Sequence, residues 1–173
     1  NLRIKTEIYY QQLYNVPVES RQGGTSFSLV NLGSGFSRFF PGNLKNTGTA
    51  ENYGAEITIE KYFSKKFFFL LTSSLYNSTY KGSDGLKRNT DFNGNYVLNF
   101  LASREFQLGE KSSFSIGTKV TAAGNKRYSP VDTLATIRTA EIQWVDSLRN
   151  TKQFKDYFRA DIKLNYKINS KKI

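Results

Sequence analysis

One segment of the chain alternates apolar and polar side chains over twelve residues. In residues 157–168, apolar side chains occupy every even position, and charged or amide side chains occupy the odd positions from Arg159 to Lys167. Successive side chains of a strand point to opposite faces, so the pattern predicts a strand with one apolar and one charged face. Strands of globular proteins usually have about five or six residues, whereas a tilted strand needs roughly nine to eleven to cross a bilayer. The segment therefore predicts a strand of a transmembrane β-barrel.

The composition agrees with crossing a membrane by strands rather than by helices. Of the 173 residues, 38% are hydrophobic and 15% are aromatic. Outer-membrane barrels have such compositions because half of each strand is polar and aromatic girdles lie at both interfaces. The longest apolar run, 67–71, is far shorter than the roughly 18 residues of a membrane-spanning helix.

The residue inventory disfavours catalysis and metal binding. The chain has no Cys and no His, which removes disulfides, thiolate ligands, the common zinc geometries and the usual general base. Glu56 and Glu60 would lie about 13 Å apart along one strand, too far to act as a glycosidase pair. We therefore predict no catalytic residue, no metal site and no cofactor.

The formal charge of +11 raises the question of an anionic partner. The basic residues are dispersed, however. Lys65, Lys66 and Lys111 fall in short turns, and others fall on the polar faces of strands. Since neither a basic helix nor an RNA-binding strand motif is present, we predict no nucleic-acid partner.

Similar alternation along the chain predicts six long strands, at about 2–16, 48–63, 67–80, 94–106, 112–123 and 157–168. In the third strand both parities are mixed, so its sequence does not say which face is apolar. The connections alternate between long and short, and the long ones are 17–45, 81–93 and 124–156. Outer-membrane barrels have short periplasmic turns and long extracellular loops, so we expect these three connections outside the cell.

Six strands are too few for a closed barrel, because the smallest single-chain barrels have about eight. We therefore expect an all-β, antiparallel arc of a larger transmembrane barrel. Because the chain opens on Asn1 within a strand and lacks Met, we also expect a piece of a longer polypeptide. A soluble antiparallel sandwich would alternate too, and strand length is the argument against it.

Three motifs carry a resemblance to a known family. They are 52–61 (NYGAEITIEK), then 88–99 (RNTDFNGNYVLN) leading into 104–106 (REF), and finally 126–132 (KRYSPVD) followed by 156–161 (DYFRAD). In this order they resemble the C-terminal barrel region of TonB-dependent outer-membrane receptors, particularly the Bacteroidetes type with a carboxypeptidase-regulatory-like domain. The resemblance extends from about Arg3 to Lys172.

The resemblance implies that residues 1–173 are a fragment of the C-terminal barrel domain, without the plug domain and the terminal strands. It implies a multi-pass β-barrel in the outer membrane of a Gram-negative cell. The receptor would import a scarce nutrient, such as a ferric chelate or an oligosaccharide. The implied partners are outer-membrane lipid, the receptor's own plug domain and, through the plug, TonB.

The longest outer connection supplies the candidate ligand-binding residues. Its amphipathic aromatic and charged side chains could hold a polar ligand; they are Arg127, Tyr128, Asp132, Arg138 and Trp144. A plain turn at 128–130 that packs the loop over its own strands is the alternative.

Arg159, Asp161 and Lys163 share one face of the last strand, and we expect that face to line the lumen. There they would contact a plug or a substrate, or simply form a solvated wall.

Two other functions remain open at this point. One is a passive or adhesive outer-membrane barrel, whose upstream sequence would lack a plug. The other is a soluble basic β-sandwich that binds polyanions in a salt-sensitive way.

Overall fold

The computed structural model describes residues 2–33 and 42–168. Strands account for 63% of the structure and helices for 8%, so the predicted all-β class is confirmed. The strands of the described residues are β1 (Leu2–Glu19), β2 (Leu44–Ser64), β3 (Phe67–Lys81), β4 (Lys87–Asn89), β5 (Tyr96–Gln107), β6 (Ser112–Ala123), β7 (Arg127–Tyr128), β8 (Lys152–Gln153) and β9 (Tyr157–Ile168). Helix α1 spans Thr133–Thr139, and 3-10 turns lie at Leu29–Asn31 and Asp146–Leu148. Within the described ranges, no helix is long and apolar enough to cross a membrane.

The long strands form one antiparallel sheet in the order β1-β2-β3-β5-β6-β9, and the short β4 also pairs with β3. Strands β7 and β8 form a separate small hairpin. The six predicted long strands are therefore confirmed, although β1 and β2 are longer than predicted. Their extra residues pair with each other, as Val18 does with Lys45. Pro17 is tolerated within β1 because β1 is an edge strand with a register irregularity at that point.

The connections divide the sheet into two ends. At the turn end, residues 65–66 join β2 to β3, and residues 108–111 join β5 to β6. Lys65 and Lys66 both have positive φ, at 50° and 62°, as the two-residue hairpin turn that matches strand twist requires. At the loop end lie the described parts of the first loop (20–33 and 42–43), the second loop (82–95) and the third loop (124–156).

The pairing register puts one apolar row of side chains from each of the six long strands on the same face. Residues that pair directly in an antiparallel ladder project to the same side. One such row crosses the sheet through Ile4, Ile59, Leu71, Phe100, Val120 and Ala160. The register also settles the question that the sequence left open in the third strand. Its odd residues, including Phe69, Leu71 and Leu75, belong to the apolar face.

This apolar face is uncovered in the structure. Ile8 is 88% exposed, Ile162 76% and Phe158 70%. The opposite face carries most of the charged strand residues, for example Arg3, which lies 3.9 Å from Glu60. Within the described ranges, no second sheet packs against the apolar face. The sheet therefore separates an apolar from a polar surface without enclosing a core of its own.

Aromatic side chains border the apolar face at both ends, with mainly aliphatic side chains between them. The register assigns the border residues, which are Tyr10, Tyr53, Tyr96 and Phe158 toward the loops and Phe67, Phe106, Phe114 and Tyr166 toward the turns. We call these two rows the loop-side and turn-side aromatic rows.

The most deeply buried side chains lie where the loops meet the strands. Val18, Tyr80, Ser28 and Asn93 each expose 2% or less of their surface. The compact packing of the described residues is therefore at the loop end, and it holds the connections in place.

A close contact that only glycine permits lies within the sheet at Gly54. Gly54 pairs with Tyr9, whose ring lies over it, and a Cβ at Gly54 would come within 2.7 Å of the Leu75 carbonyl oxygen. We expect Gly54→Ala to lower the free energy of unfolding by about 1–3 kcal/mol, since the backbone of β3 would have to move. The measurement is denaturant unfolding.

The matched control is Gly117→Ala, also within a strand. A Cβ there would meet its nearest neighbours at ordinary distances of 3.7–3.8 Å. We expect it to be neutral or slightly stabilising, because Gly is unfavourable in a strand. Equal effects of the two substitutions would contradict the close contact.

Candidate functional site

A buried ion pair joins the three loops. Both terminal nitrogens of the Arg88 guanidinium donate to Asp84, at 2.8 Å and 2.6 Å, and only 5% of the Arg88 side chain is exposed. Arg88 also donates to the Asp146 backbone oxygen at 3.4 Å. The Asp146 carboxylate accepts from the backbone nitrogen of Ser26 at 3.1 Å and from its hydroxyl. Ser26, Asp84, Arg88 and Asp146 thus form a loop clasp between the first, second and third loops.

Protonation states in the loop clasp follow from its geometry. Burial alone would raise the pKa of Asp84. Hydrogen bonds from the Arg88 side chain and the Leu86 backbone outweigh burial, so the pKa of Asp84 lies below its ordinary value of 3.8. The hydrogen bonds to Asp84 raise the pKa of Arg88 in turn. Both groups are therefore charged at neutral pH, and the pair is fully formed.

A second set of contacts is built on the amide of Asn93, which is completely buried. Its oxygen accepts from the Ser78 backbone at 3.0 Å, and its nitrogen donates to Asn77 and Asn89, both at 2.8 Å. Most buried polar groups in folded proteins have such partners, and this amide has them on β3 and on the second loop. Asn93 therefore anchors the second loop to β3.

Asn150 anchors the third loop to the second loop in a similar way. It exposes 3% of its surface, and its side-chain nitrogen donates to Asp91 at 2.6 Å and to the Asn89 backbone at 2.9 Å. Its backbone nitrogen donates to Ser129 at 3.1 Å. The second and third loops are therefore fixed to each other by buried hydrogen bonds.

Of the five predicted ligand-binding residues, three take part in contacts within the loops. Arg127 is half-buried and donates to the Asn93 backbone oxygen at 2.9 Å and to Asn95 at 2.5 Å. The Tyr128 ring lies 4.5 Å from that of Phe154. Asp132 accepts from the Ala135 backbone nitrogen at 2.9 Å and caps α1.

The other two lie at the surface of the third loop. Trp144 is 47% exposed and forms a β-bridge with Val131. Arg138 is exposed in the last turn of α1. Binding of a ligand by any of the five stays a prediction.

A cleft of about 360 Å³ lies between β4 and the 147–151 part of the third loop. Its lining is Thr79, Leu86, Lys87, Arg88, Asn89, Ser147, Arg149 and Thr151. Lys87 is paired with Glu51 at 2.6 Å and Arg88 with Asp84, whereas Arg149 forms no ion pair with the described residues. Hydroxyl and amide groups beside a free guanidinium suit a hydroxylated or anionic ligand.

Sequence reasoning missed this cleft because loop packing alone brings Arg88 and Arg149 together. No local pattern connects two residues that lie so far apart in the chain. The one sequence feature that pointed to the cleft was Arg88, which is the first residue of the second motif of the resemblance.

The three residues predicted to line a lumen do lie on the polar face of the sheet. Arg159 binds Asp161 at 2.9 Å, and both are well exposed. Lys163 pairs in register with Gly117 and forms no ion pair in the described part of the chain. Whether this face borders a lumen stays a prediction.

No metal site accompanies these features. Within residues 2–33 and 42–168, no group of three or more His, Cys, Asp or Glu side chains could hold an ion.

The loop clasp predicts a specific loss of stability. Arg88→Ala leaves Asp84 buried without a cation, so we expect the free energy of unfolding to fall by about 3–5 kcal/mol. Limited proteolysis should also cut the second and third loops faster. The matched control is Arg138→Ala, which removes an exposed arginine from the third loop and should change stability by less than about 0.5 kcal/mol.

The loop clasp also predicts acid sensitivity. Because folding lowers the pKa of Asp84, the pair contributes stability above the ordinary value of 3.8 and loses it as pH falls through the lower folded value. Loop proteolysis by an acid-active protease should therefore accelerate as pH drops below about 4. In Asp84→Asn the acceleration should be smaller, and an unchanged pH profile would contradict the role of this pair.

The chain matches no protein-family model, no curated protein and no solved structure.

Proposed function

We propose that the sheet is part of the wall of an outer-membrane β-barrel, in a receptor of the TonB-dependent type that imports a scarce nutrient. The uncovered apolar face supports this proposal most strongly. A continuous exposed apolar surface of this size indicates contact with another protein or with a membrane. Its aromatic borders favour a membrane, because Tyr and Trp concentrate at the two interfaces of a bilayer.

The height of the apolar face fits a bilayer. In β5, Phe106 of the turn-side row comes ten positions after Tyr96 of the loop-side row, which corresponds to about 33 Å along the strand. A strand tilted by about 40° would therefore span roughly 25 Å, the usual height of the apolar band of an outer-membrane barrel.

The slant of the loop-side row is what tilted strands require. Following the directly paired residues from Phe158 in β9 across the sheet leads to Thr6 in β1. The residue of β1 that belongs to the loop-side aromatic row is instead Tyr10. The row thus shifts by four residues over five strand spacings, or about 13 Å over about 24 Å. The implied tilt of about 30° is close to that of transmembrane barrels.

The polar face supports an aqueous lumen. It carries Arg159, Asp161 and Lys163 in β9 and Arg3, Lys5 and Glu7 in β1. A lysine or arginine facing lipid at mid-depth would cost roughly 2–4 kcal/mol, whereas a wet lumen tolerates it. The wall needs further strands, since the free edges of β1 and β9 carry unpaired backbone groups that a bilayer would not satisfy.

The loop end supports the receptor role. Two motifs of the resemblance supply the side chains that hold the loops together: Arg88 and Asn93 from the second, and Arg127 from the third. The cleft beside Arg149 would receive the nutrient, and fixed loops reduce the cost of ordering a binding surface. Energy coupling through a plug and TonB rests on the resemblance alone.

Adhesion is the second candidate function. Helix α1 exposes two large apolar side chains, Leu134 at 74% and Ile137 at 75%, and exposed apolar surface favours protein contacts. Uptake of a labelled nutrient that stops when TonB is removed would favour import over adhesion.

A charge on the apolar face should prevent assembly. Within β9, Ile162 lies midway between Phe158 of the loop-side row and Tyr166 of the turn-side row. We therefore expect Ile162→Arg to cost about 2–4 kcal/mol in the membrane. The measurement is the amount of folded full-length protein in the outer membrane. Asn165→Arg, on the polar face of the same strand, is the control and should assemble normally. Equal assembly of both variants would contradict a lipid-facing apolar side.

The topology is tested by external protease on intact cells that carry the full-length protein. We expect cleavage in the first and third loops and protection of the strands. Recovery of the protein in the soluble fraction would overturn the membrane proposal and favour a soluble sheet.

A further inference from the structure

Two basic side chains lie on the otherwise apolar face, both near its turn end. Lys61 is on this face because it pairs with Phe69, and Arg104 because it pairs with Phe67. In the described sheet, no other charged residue of this face lies between the two aromatic rows. We call Lys61 and Arg104 the turn-end cation pair.

Aromatic rings flank both cations. The ammonium nitrogen of Lys61 lies 5.8 Å from the centre of the Phe67 ring and donates to the Ser64 hydroxyl at 2.7 Å. The Arg104 guanidinium carbon lies 5.2 Å from the centre of the Phe106 ring. Neither cation forms an ion pair within the described residues. Both charges are thus available to an anion outside the chain.

The positions of these cations match the headgroup level of a bilayer. A cation facing lipid is costly at mid-depth and far less costly near the interface, where long basic side chains extend their charged ends. Lys61 and Arg104 lie on the two strands that flank β3, with an offset of two residues along the strands, so about 12 Å separates their backbones. Lys65 and Lys66 in the adjacent turn add positive charge, and Glu110 is the acidic residue of the neighbouring turn.

We propose that the turn-end cation pair binds the headgroup phosphate of an anionic phospholipid in the leaflet that surrounds the turn end. This inference rests on the proposed membrane function. Charge complementarity selects the occupant, since the aromatic rings suit the interfacial part of a lipid and the cations suit its phosphate. Polar headgroups without net charge fit less well, because they would leave this positive charge uncompensated.

The test measures lipid binding to the full-length, delipidated protein by native mass spectrometry. The probes are phosphatidylglycerol and phosphatidylcholine with identical acyl chains. We expect a preference for phosphatidylglycerol that falls about 30-fold in Lys61→Gln/Arg104→Gln, since each cation near an anionic surface contributes roughly fivefold in affinity. Lys61→Arg/Arg104→Lys should retain the preference, which keeps the test usable if the glutamine variant fails to fold.

The matched control is Lys163→Gln/Lys167→Gln, which removes the same charge from the polar face of β9. An equal loss of preference in this control, or equal binding of the two lipids by the unchanged protein, would overturn the inference. If the protein inserts into the membrane but shows no preference, only this inference fails. If it does not insert at all, the proposed function fails as well.

Discussion

The pairing register of the long strands is the constraint on which the rest of the structure depends. Because side chains alternate with a period of two, a slip of one residue between any two strands would turn one strand's apolar side chains to the polar face. All five ladders between the long strands keep the same phase, so that Ile4 and Ala160, at opposite edges of the sheet, lie on one face. The apolar surface, its aromatic borders and the polar surface behind it all follow from this phase.

A single sheet with two open faces has little interior, and the structure compensates at the loop end. There the side chains of Val18 and Tyr80 are buried, and polar side chains such as Asn93 and Asn150 hydrogen-bond to neighbouring side chains and to the backbone. Buried, fully bonded polar groups specify a unique arrangement because any other would leave them unpaired. The described parts of the loops are therefore ordered parts of the fold, and a surface built on them is already in place before a ligand arrives.

Strand periodicity predicted the long strands but not their packing. Residues 112–123 and 157–168 alternate so regularly that both strands have the predicted bounds. The face of β3 could not be predicted, since Leu70 and Leu71 have opposite parity and only the partner strands decide between them. Strand β4 and the cleft at Arg149 arise from contacts between distant residues. Arg127 was predicted from its loop position, which does not reveal that Asn93 and Asn95 would accept its hydrogen bonds.

The account depends most on lipid contacting one face of the sheet and water the other. Since the chain has no cysteine, spin labels can be placed one at a time along β9, from Arg159 to Leu164, in full-length protein without other reactive cysteines. Collision rates with membrane-dissolved oxygen and with a water-soluble nickel chelate then report the surroundings of each label. We predict alternation, with oxygen favoured at 160, 162 and 164 and the chelate favoured at 159, 161 and 163. Uniform access of the chelate at all six positions would contradict the account.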